Sequence, residues 1–247
     1  MSGEVILYGD MMSQPTRCIV WFCKLNKIPL KFENIQLSKG VQRTKEYKAK
    51  MPLGKVPLIE HNGFLLYERY LGATFNVAEP WWSGDLKRRA IIDQYLDWHH
   101  GGTRIAAQMI FAKVMAPAQG INVSGDQLKT SIGKLEFALD TLEKVWLKND
   151  EFLTGAKPSV ADLSAVCELM QLEMIEYDIF KNRPKLEKWY RSMSKVEHFQ
   201  EVTAVFQKVS ALFREKNRSK LIIEITTIKH WYIIRVISNR TKTEKAS

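Results

Sequence analysis

The chain changes its hydrophobic period once, near residue 85, and that switch constrains its fold more than any other feature. Before it, short apolar runs alternate with a helical one: Val5-Ile6-Leu7-Tyr8, then residues 19–25, Leu30-Lys31-Phe32-Glu33-Asn34, residues 56–60 and Phe64-Leu65-Leu66-Tyr67. Runs of four or five residues suit strands, whereas 19–25 carries a helical face. The order is a β-α-β unit followed by a hairpin, with Asn62-Gly63 as the turn. A linker with proline and tryptophan spans 76–84. From Asp85 to about Glu215 the chain reads as helix after helix, with Ile91, Ile92, Tyr95 and Leu96 on one face and Leu128, Ile132, Leu135, Leu139, Leu142 and Trp146 on another. The pattern predicts an α/β domain over 1–75, an all-α domain over 85–215 and a tail over 216–247.

Composition bounds what these parts do. Of 247 residues, 45% are apolar, enough to bury a sizeable core. Cys18, Cys23 and Cys167 are odd in number and lack metal or redox spacing, which suits a reducing, cytoplasmic setting. Met1-Ser2-Gly3-Glu4 shows no signal-peptide pattern, and no run approaches a membrane span. The net charge of +10 is concentrated: residues 216–247 hold eight Lys or Arg against Glu224 and Glu244, so the body carries only +4. With no basic helix interleaved with stacking aromatics, nucleic acid is not the expected partner.

Local signals mark helix ends and candidate chemistry. Ser159-Val160-Ala161-Asp162 resembles a capping box with Asp in place of Glu, and Pro184 opens another helix. Gly101-Gly102, inside or after the first long helix, costs about 1 kcal/mol per glycine relative to alanine, which fits either close approach of a ligand or backbone, or a plain helix end. Ser13 stands before Gln14-Pro15, where a serine is a natural N-cap. Pro57 sits at the entry to a strand, a position open to an edge proline as well as to a cis bond. Adjacent His99 and His100 point about 100° apart on a helix, and no further His or Cys completes a set, so no metal site is expected. Trp81, Trp82 and Trp98 read as packing.

Several segments together carry a family likeness: Glu4-Val5-Ile6-Leu7-Tyr8-Gly9-Asp10-Met11-Met12-Ser13-Gln14-Pro15-Thr16-Arg17, Lys39-Gly40, Pro52-Leu53-Gly54-Lys55-Val56-Pro57, Phe152-Leu153-Thr154-Gly155 with Ala161-Asp162-Leu163, and Asn182-Arg183-Pro184-Lys185-Leu186 with Trp189. Over roughly residues 4–215 the chain resembles a theta-class glutathione transferase, insect-like in flavour. The resemblance implies a thioredoxin-like N-terminal domain, an all-helical C-terminal domain, a homodimer, and glutathione as co-substrate with no cofactor. It implies that Ser13 donates to the glutathione sulfur and that Arg104 lies beside that sulfur, although Arg104 also reads as an exposed helix charge. It implies a cis bond between Val56 and Pro57 that turns the Val56 backbone toward the peptide of glutathione, and it adds Gln14 and Lys55 to the binding set. Gln42 and Arg43 fall where relatives place a His and Lys pair near the glycine carboxylate, or they are solvated loop residues.

The chemistry needs such groups. A thiol near pKa 8.5 is mostly protonated at neutral pH, and lowering it by about two units requires roughly 2.7 kcal/mol of thiolate stabilisation. One hydroxyl donor to a charged acceptor supplies about 1.5–3 kcal/mol of that, and a helix N-terminus adds to it.

The sequence departs from the family pattern twice. Relatives follow the glutamate at the position of Glu68 with Ser and an apolar turn that open the third helix and grip the γ-glutamyl end of glutathione; here Glu68 runs straight into Arg69-Tyr70-Leu71. Arg69 could pair with that carboxylate in place of the lost hydroxyl. After Glu215 the likeness stops, and the β-prone basic tail suits either membrane-surface attachment or a weakly packed extension. Two functions follow: an enzyme that transfers glutathione to small electrophiles or reduces organic peroxides, or a catalytically impaired dimeric binding module.

Overall fold

Alternate burial of Val5, Leu7 and Gly9 defines strand β1 (Val5–Gly9), the first element of a computed structural model that describes residues 5–66, 70–75, 77 and 79–218. Helix α1 (Gln14–Leu25) returns the chain to β2 (Leu30–Asn34), which pairs parallel with β1 from Val5 opposite Leu30 to Gly9 opposite Asn34. A short helix α2 (Lys45–Lys50) leads to β3 (Leu58–His61), and β4 (Phe64–Leu66) follows across a tight turn. Asn62 and Gly63 have φ of 52° and 77°, the left-handed pair that a two-residue hairpin of this twist requires. Both β1–β3 and β3–β4 are antiparallel, giving the order β2-β1-β3-β4. This is a thioredoxin-like mixed sheet.

Strand β3 starts at Leu58, two residues later than the apolar run suggests, and the Val56–Pro57 bond just before it is cis. The bond at Glu79–Pro80 is cis as well. On the outer face of the sheet, α2 covers a small cluster of Ile35, Tyr47, Met51 and Leu58. The other face receives α1 and, beyond it, the helical part.

That part begins after α3 (Tyr70–Thr74) with α4 (Leu86–Trp98), where the Asp85 carboxylate accepts from the Arg88 N–H at 2.8 Å. Ile92 and Tyr95 are fully buried and Leu96 nearly so, but Ile91 is 43% exposed and does not belong to the apolar face expected for it. It lies about 90° from the centre of the stripe that Ile92, Tyr95, Leu96 and His99 form at 100° per residue. Helix α4 ends at Trp98, and a Cβ on Gly102 would lie 2.6 Å from that indole. An aromatic face, not a ligand, explains this glycine. Helix α5 (Ile105–Ile110) continues through a π-helical stretch into α6 (Ala116–Ala118), and α7 (Gly125–Thr141) opens on a capping box of Ser124 and Gln127. Leu135 and Leu139 are fully buried along its inner face, as is Leu142 in the π-helical stretch that follows it. Tyr95, Trp98 and Trp146 stack their rings 5.0–5.6 Å apart, so Trp98 serves packing.

Helix α8 (Val160–Leu169) is the central element, and α1 packs against it. Its capping box is present as the sequence predicts, with Asp162 at the third position. Fully buried Asp162 accepts from the Leu153 N–H (2.9 Å), the Ser159 N–H (2.8 Å) and the Trp189 Nε1–H (2.9 Å) of α9 (Pro184–Met193). Residues 199–207 are helical and end the first of two compact units, Met1–Gln207 and Lys208–Ser247. Of the second unit, 208–218 are described and helical; the expected tail from 219 onward lies outside the described residues.

Replacing Asp162 removes the acceptor of four buried donors at once, the Ser159 hydroxyl at 3.2 Å included, each of which costs about 1–3 kcal/mol when left without a partner. Asp162→Ala should therefore lower the stability measured by urea unfolding by about 3 kcal/mol or more. Asp162→Asn, which keeps one acceptor, should lose less; a change within error in both would remove Asp162 as the anchor of α8.

Candidate active site

The sheet register brings the first site elements together. Tyr8 near the end of β1 lies opposite Leu58 at the start of β3, so the loop that leaves β1 and the Val56-Pro57 segment emerge at one end of the sheet. Gly9 ends β1, and a Cβ there would sit 2.5 Å from the Thr16 Cγ2, so only glycine lets the first turn of α1 close onto the strand. The loop between them is held by Asp10, whose carboxylate accepts from the Met12 N–H (2.8 Å) and the Leu37 N–H (2.9 Å) and whose carbonyl accepts from the Ser13 N–H (2.8 Å).

Ser13 occupies the N-cap position with extended backbone, φ −78° and ψ 125°, and is 9% exposed. Its hydroxyl makes no capping hydrogen bond. The capping expectation is thus met in position but not in bonding, and among the described residues no hydrogen bond is seen for the Oγ–H at the positive end of this twelve-residue helix.

Next to Ser13, the Gln14 side chain reaches Glu168 on α8. The same carboxylate accepts from Arg104 Nη1 (2.9 Å) and Gln171 Nε2 (2.9 Å), and His99 Nε2 stands 3.5 Å away. The other ring nitrogen of His99 shares a 2.8 Å hydrogen bond with Thr103 Oγ1, so this histidine is part of a buried polar network. Glu168 is 1% exposed, and burial pushes its carboxyl up to about 7, against the opposing pull of Arg104, Gln14 and Gln171. Pro15, Cys18, Pro57, Leu71, His99 and Arg104 border one mostly apolar cleft of about 180 Å³.

The remaining expected residues spread outward from this centre. Gln42 and Arg43 lie in the 3₁₀ turn Val41–Arg43, where Arg43 is exposed and Gln42 is half-buried with no partner for its Oε1 among the described residues. Gly54, with φ 59°, abuts the Gln42 carbonyl and brings this turn against the segment that leads to Lys55 and Val56. Lys55 is exposed, and its carbonyl accepts from the Tyr47 hydroxyl at 2.7 Å. Glu68 and Arg69 lie outside the described residues.

Two residues of this region escape sequence reasoning. Glu168 and Arg17 are single charges inside apolar stripes, of α8 and α1 respectively, and are buried at 1% and 0% exposure. Their only signal is that placement: a charge on a buried helix face must find polar partners from another element.

Comparison with known proteins identifies the family. Residues 3–70 match the family model of the glutathione S-transferase N-terminal domain, and residues 106–197 that of the C-terminal domain. The chain belongs to the glutathione S-transferase family. Within it the similarity points to the theta class: glutathione S-transferase T1 of Arabidopsis thaliana is 38% identical over 85% of this chain and 92% of its own length, and glutathione S-transferase theta-3 of Mus musculus is 38% identical over 74% and 79%. Among solved structures, the apo form of human glutathione S-transferase T1-1 superimposes with a TM-score of 0.77 at 34% identity, covering 84% of this chain and 91% of that one. Human glutathione transferase theta-2, solved in complex with glutathione and an unknown ligand, gives 0.79 at 30% identity over 86% and 91%.

The raised pKa of Glu168 has a definite sign in stability. In the folded state the carboxyl keeps its proton up to about pH 7, whereas an ordinary glutamate loses it near 4.5. The folded state therefore binds more protons between those values, and this residue's contribution falls as pH rises through the window and is level above it. The melting temperature of wild type minus that of Glu168→Gln should decrease from pH 4.5 to 7 and then stay flat; a difference that is constant across this range would show that Glu168 is ionised throughout.

Proposed function

We propose that this chain is a theta-class transferase that conjugates glutathione, through its sulfur, to small electrophiles. The observation that carries the reading is the Ser13 hydroxyl, which does not cap its own helix, at the N-terminus of α1 and at the same end of the sheet as the Val56–Pro57 peptide. Relatives of similar fold are named glutathione transferases, and one of them is described in complex with the glutathione conjugate of 1-menaphthyl sulfate.

The chemistry follows from differential stabilisation of the thiolate. Ser13 Oγ–H donates to the sulfur, which rewards the anion more than the thiol, and the partial positive charge of the helix end acts in the same direction. Val56, outside the β3 ladder, offers its peptide N–H and C=O to the backbone of the tripeptide. Gln42 and Arg43, with Lys55 nearby, serve the glycine carboxylate, and Gln14, Glu68 and Arg69 the γ-glutamyl end. Arg104, held by Glu168 at the rim of the cleft, supplies a cation near the sulfur and the leaving group. The apolar walls of the cleft suit an electrophile of small, weakly polar character.

The protein acts as a homodimer in the cytoplasm. Leu53 and Leu86, at 65% and 83% exposure, are large apolar side chains that a partner surface would cover, and the three cysteines are free thiols. No helix among the described residues is long and apolar enough to cross a membrane.

Three measurements test the reading. Ser13→Ala should lower kcat/KM for conjugation by roughly 10- to 100-fold, the value of a hydrogen bond to a charged acceptor. Because no capping bond is lost, its melting temperature should stay near that of wild type, unlike an ordinary cap deletion, which costs about 1 kcal/mol. Equal background rates in both proteins, or no saturation with glutathione up to tens of millimolar, would overturn the transferase. Sedimentation equilibrium of wild type should give twice the monomer mass, shifting toward monomer in Leu53→Asp.

A further inference from the structure

One helical turn beyond Ser13, Arg17 is completely buried, yet among the described residues no carboxylate lies within ion-pair distance of it. Its two terminal nitrogens are held by carbonyls, the Cys167 side chain lies beside them, and Nε has no partner among the described residues. Nη1 donates to Met11 O and to Met12 O, both at 2.9 Å, and Nη2 donates to Cys167 O on α8 at 3.1 Å. The ring of Phe206 lies 4.5 Å from the guanidinium carbon and covers it. A leucine would fill this space without the cost of desolvating a cation, so packing does not account for an arginine here. What a guanidinium adds is direction: a planar fork that holds several acceptors at once.

The acceptors are the two residues immediately before Ser13. From the opposite side, the Asp10 carboxylate binds the Met12 N–H and the Asp10 carbonyl binds the Ser13 N–H. Met12 is therefore pinned at both its N–H and its C=O, and the backbone of Ser13 has little freedom left. We propose that Arg17 is a positioning residue for Ser13, clamping the carbonyls of Met11 and Met12 to that of Cys167 on α8 so that the Ser13 hydroxyl is held where it acts. The proposal rests on Ser13 as the thiolate donor, but its structural half is measurable without any substrate. Arg17 touches neither glutathione nor electrophile; it acts through the loop.

The test uses Arg17→Lys, which keeps a cation of shorter reach and loses the fork, and Phe206→Leu, which removes the covering ring and leaves every carbonyl in place. Hydrogen exchange on the free protein should show the amides of residues 12–14 exchanging roughly tenfold faster in Arg17→Lys, with those of α9 unchanged, and a smaller acceleration at the same amides in Phe206→Leu. In the conjugation assay Arg17→Lys should lower kcat/KM about tenfold with the glutathione KM within about twofold, and raise the acid limb of the pH–rate profile by about one unit. In a Ser13→Ala background the same substitution should have less than about a twofold effect. Unchanged exchange at 12–14 in both variants overturns the proposal, as does acceleration spread evenly over the chain or an equal loss of activity with and without Ser13. A wild type that does not saturate with glutathione removes the transferase reading alone, because the exchange experiment still decides whether Arg17 holds the loop.

Discussion

The contact of α1 with α8 is the constraint on which the site depends. It joins the sheet to the helical part, and the joint contains directional polar bonds as well as apolar contact. Arg17 on α1 reaches a carbonyl of α8, and Gln14 on α1 and Arg104 before α5 both reach the Glu168 carboxylate on α8. Apolar packing tolerates small sliding and rotation, whereas buried hydrogen bonds do not, since each donor displaced from its acceptor is left without water. These bonds set the register of α1, and with it the position of the segment from Asp10 to Pro15.

Helix α8 has to be rigid for this to work, and the reason is traceable to its start. Asp162 closes the capping box with Ser159 and also takes the Trp189 indole of α9 and the Leu153 amide. A sequence of contacts thus runs from α9 through Asp162 into α8, across to Arg17 and Gln14, and ends at Ser13. The groups nearest the chemistry are supported by residues that share no chemistry with them. Glu168 is the sensitive member of this series: with a carboxyl pushed up to about 7 by burial, it changes charge near neutral pH while bonded to Arg104.

Much of the fold was legible because periodicity is a local property. Strands β1 and β2, the Asn62-Gly63 turn, the Asp162 capping box and the Pro184 helix start stand where sequence patterning puts them, while β3 begins two residues late, at Leu58. Ile91 departs because one position of a helix face near its margin is decided by the neighbouring element, which periodicity does not describe. Gly102 departs for a similar reason: the partner it makes room for, Trp98, is found only when the turn after α4 is folded. In the candidate site, Ser13 and Val56-Pro57 were legible from motif, while Arg17 and Glu168 were not, because a charge within an apolar stripe carries no indication of which backbone carbonyl or side chain will meet it.

The sequence by itself determined the class of fold, through residue type and spacing along the chain, and the family likeness, which alone nominates the residues of a glutathione site. Only the tertiary structure decided that the Ser13 hydroxyl is not spent on capping its helix, that Arg104 is tied to Glu168, and that Arg17 lies buried among carbonyls. The physical reason is that hydrogen bonds of buried polar groups are made between elements distant in sequence, such as α1 and α8, and their geometry exists only once those elements are docked.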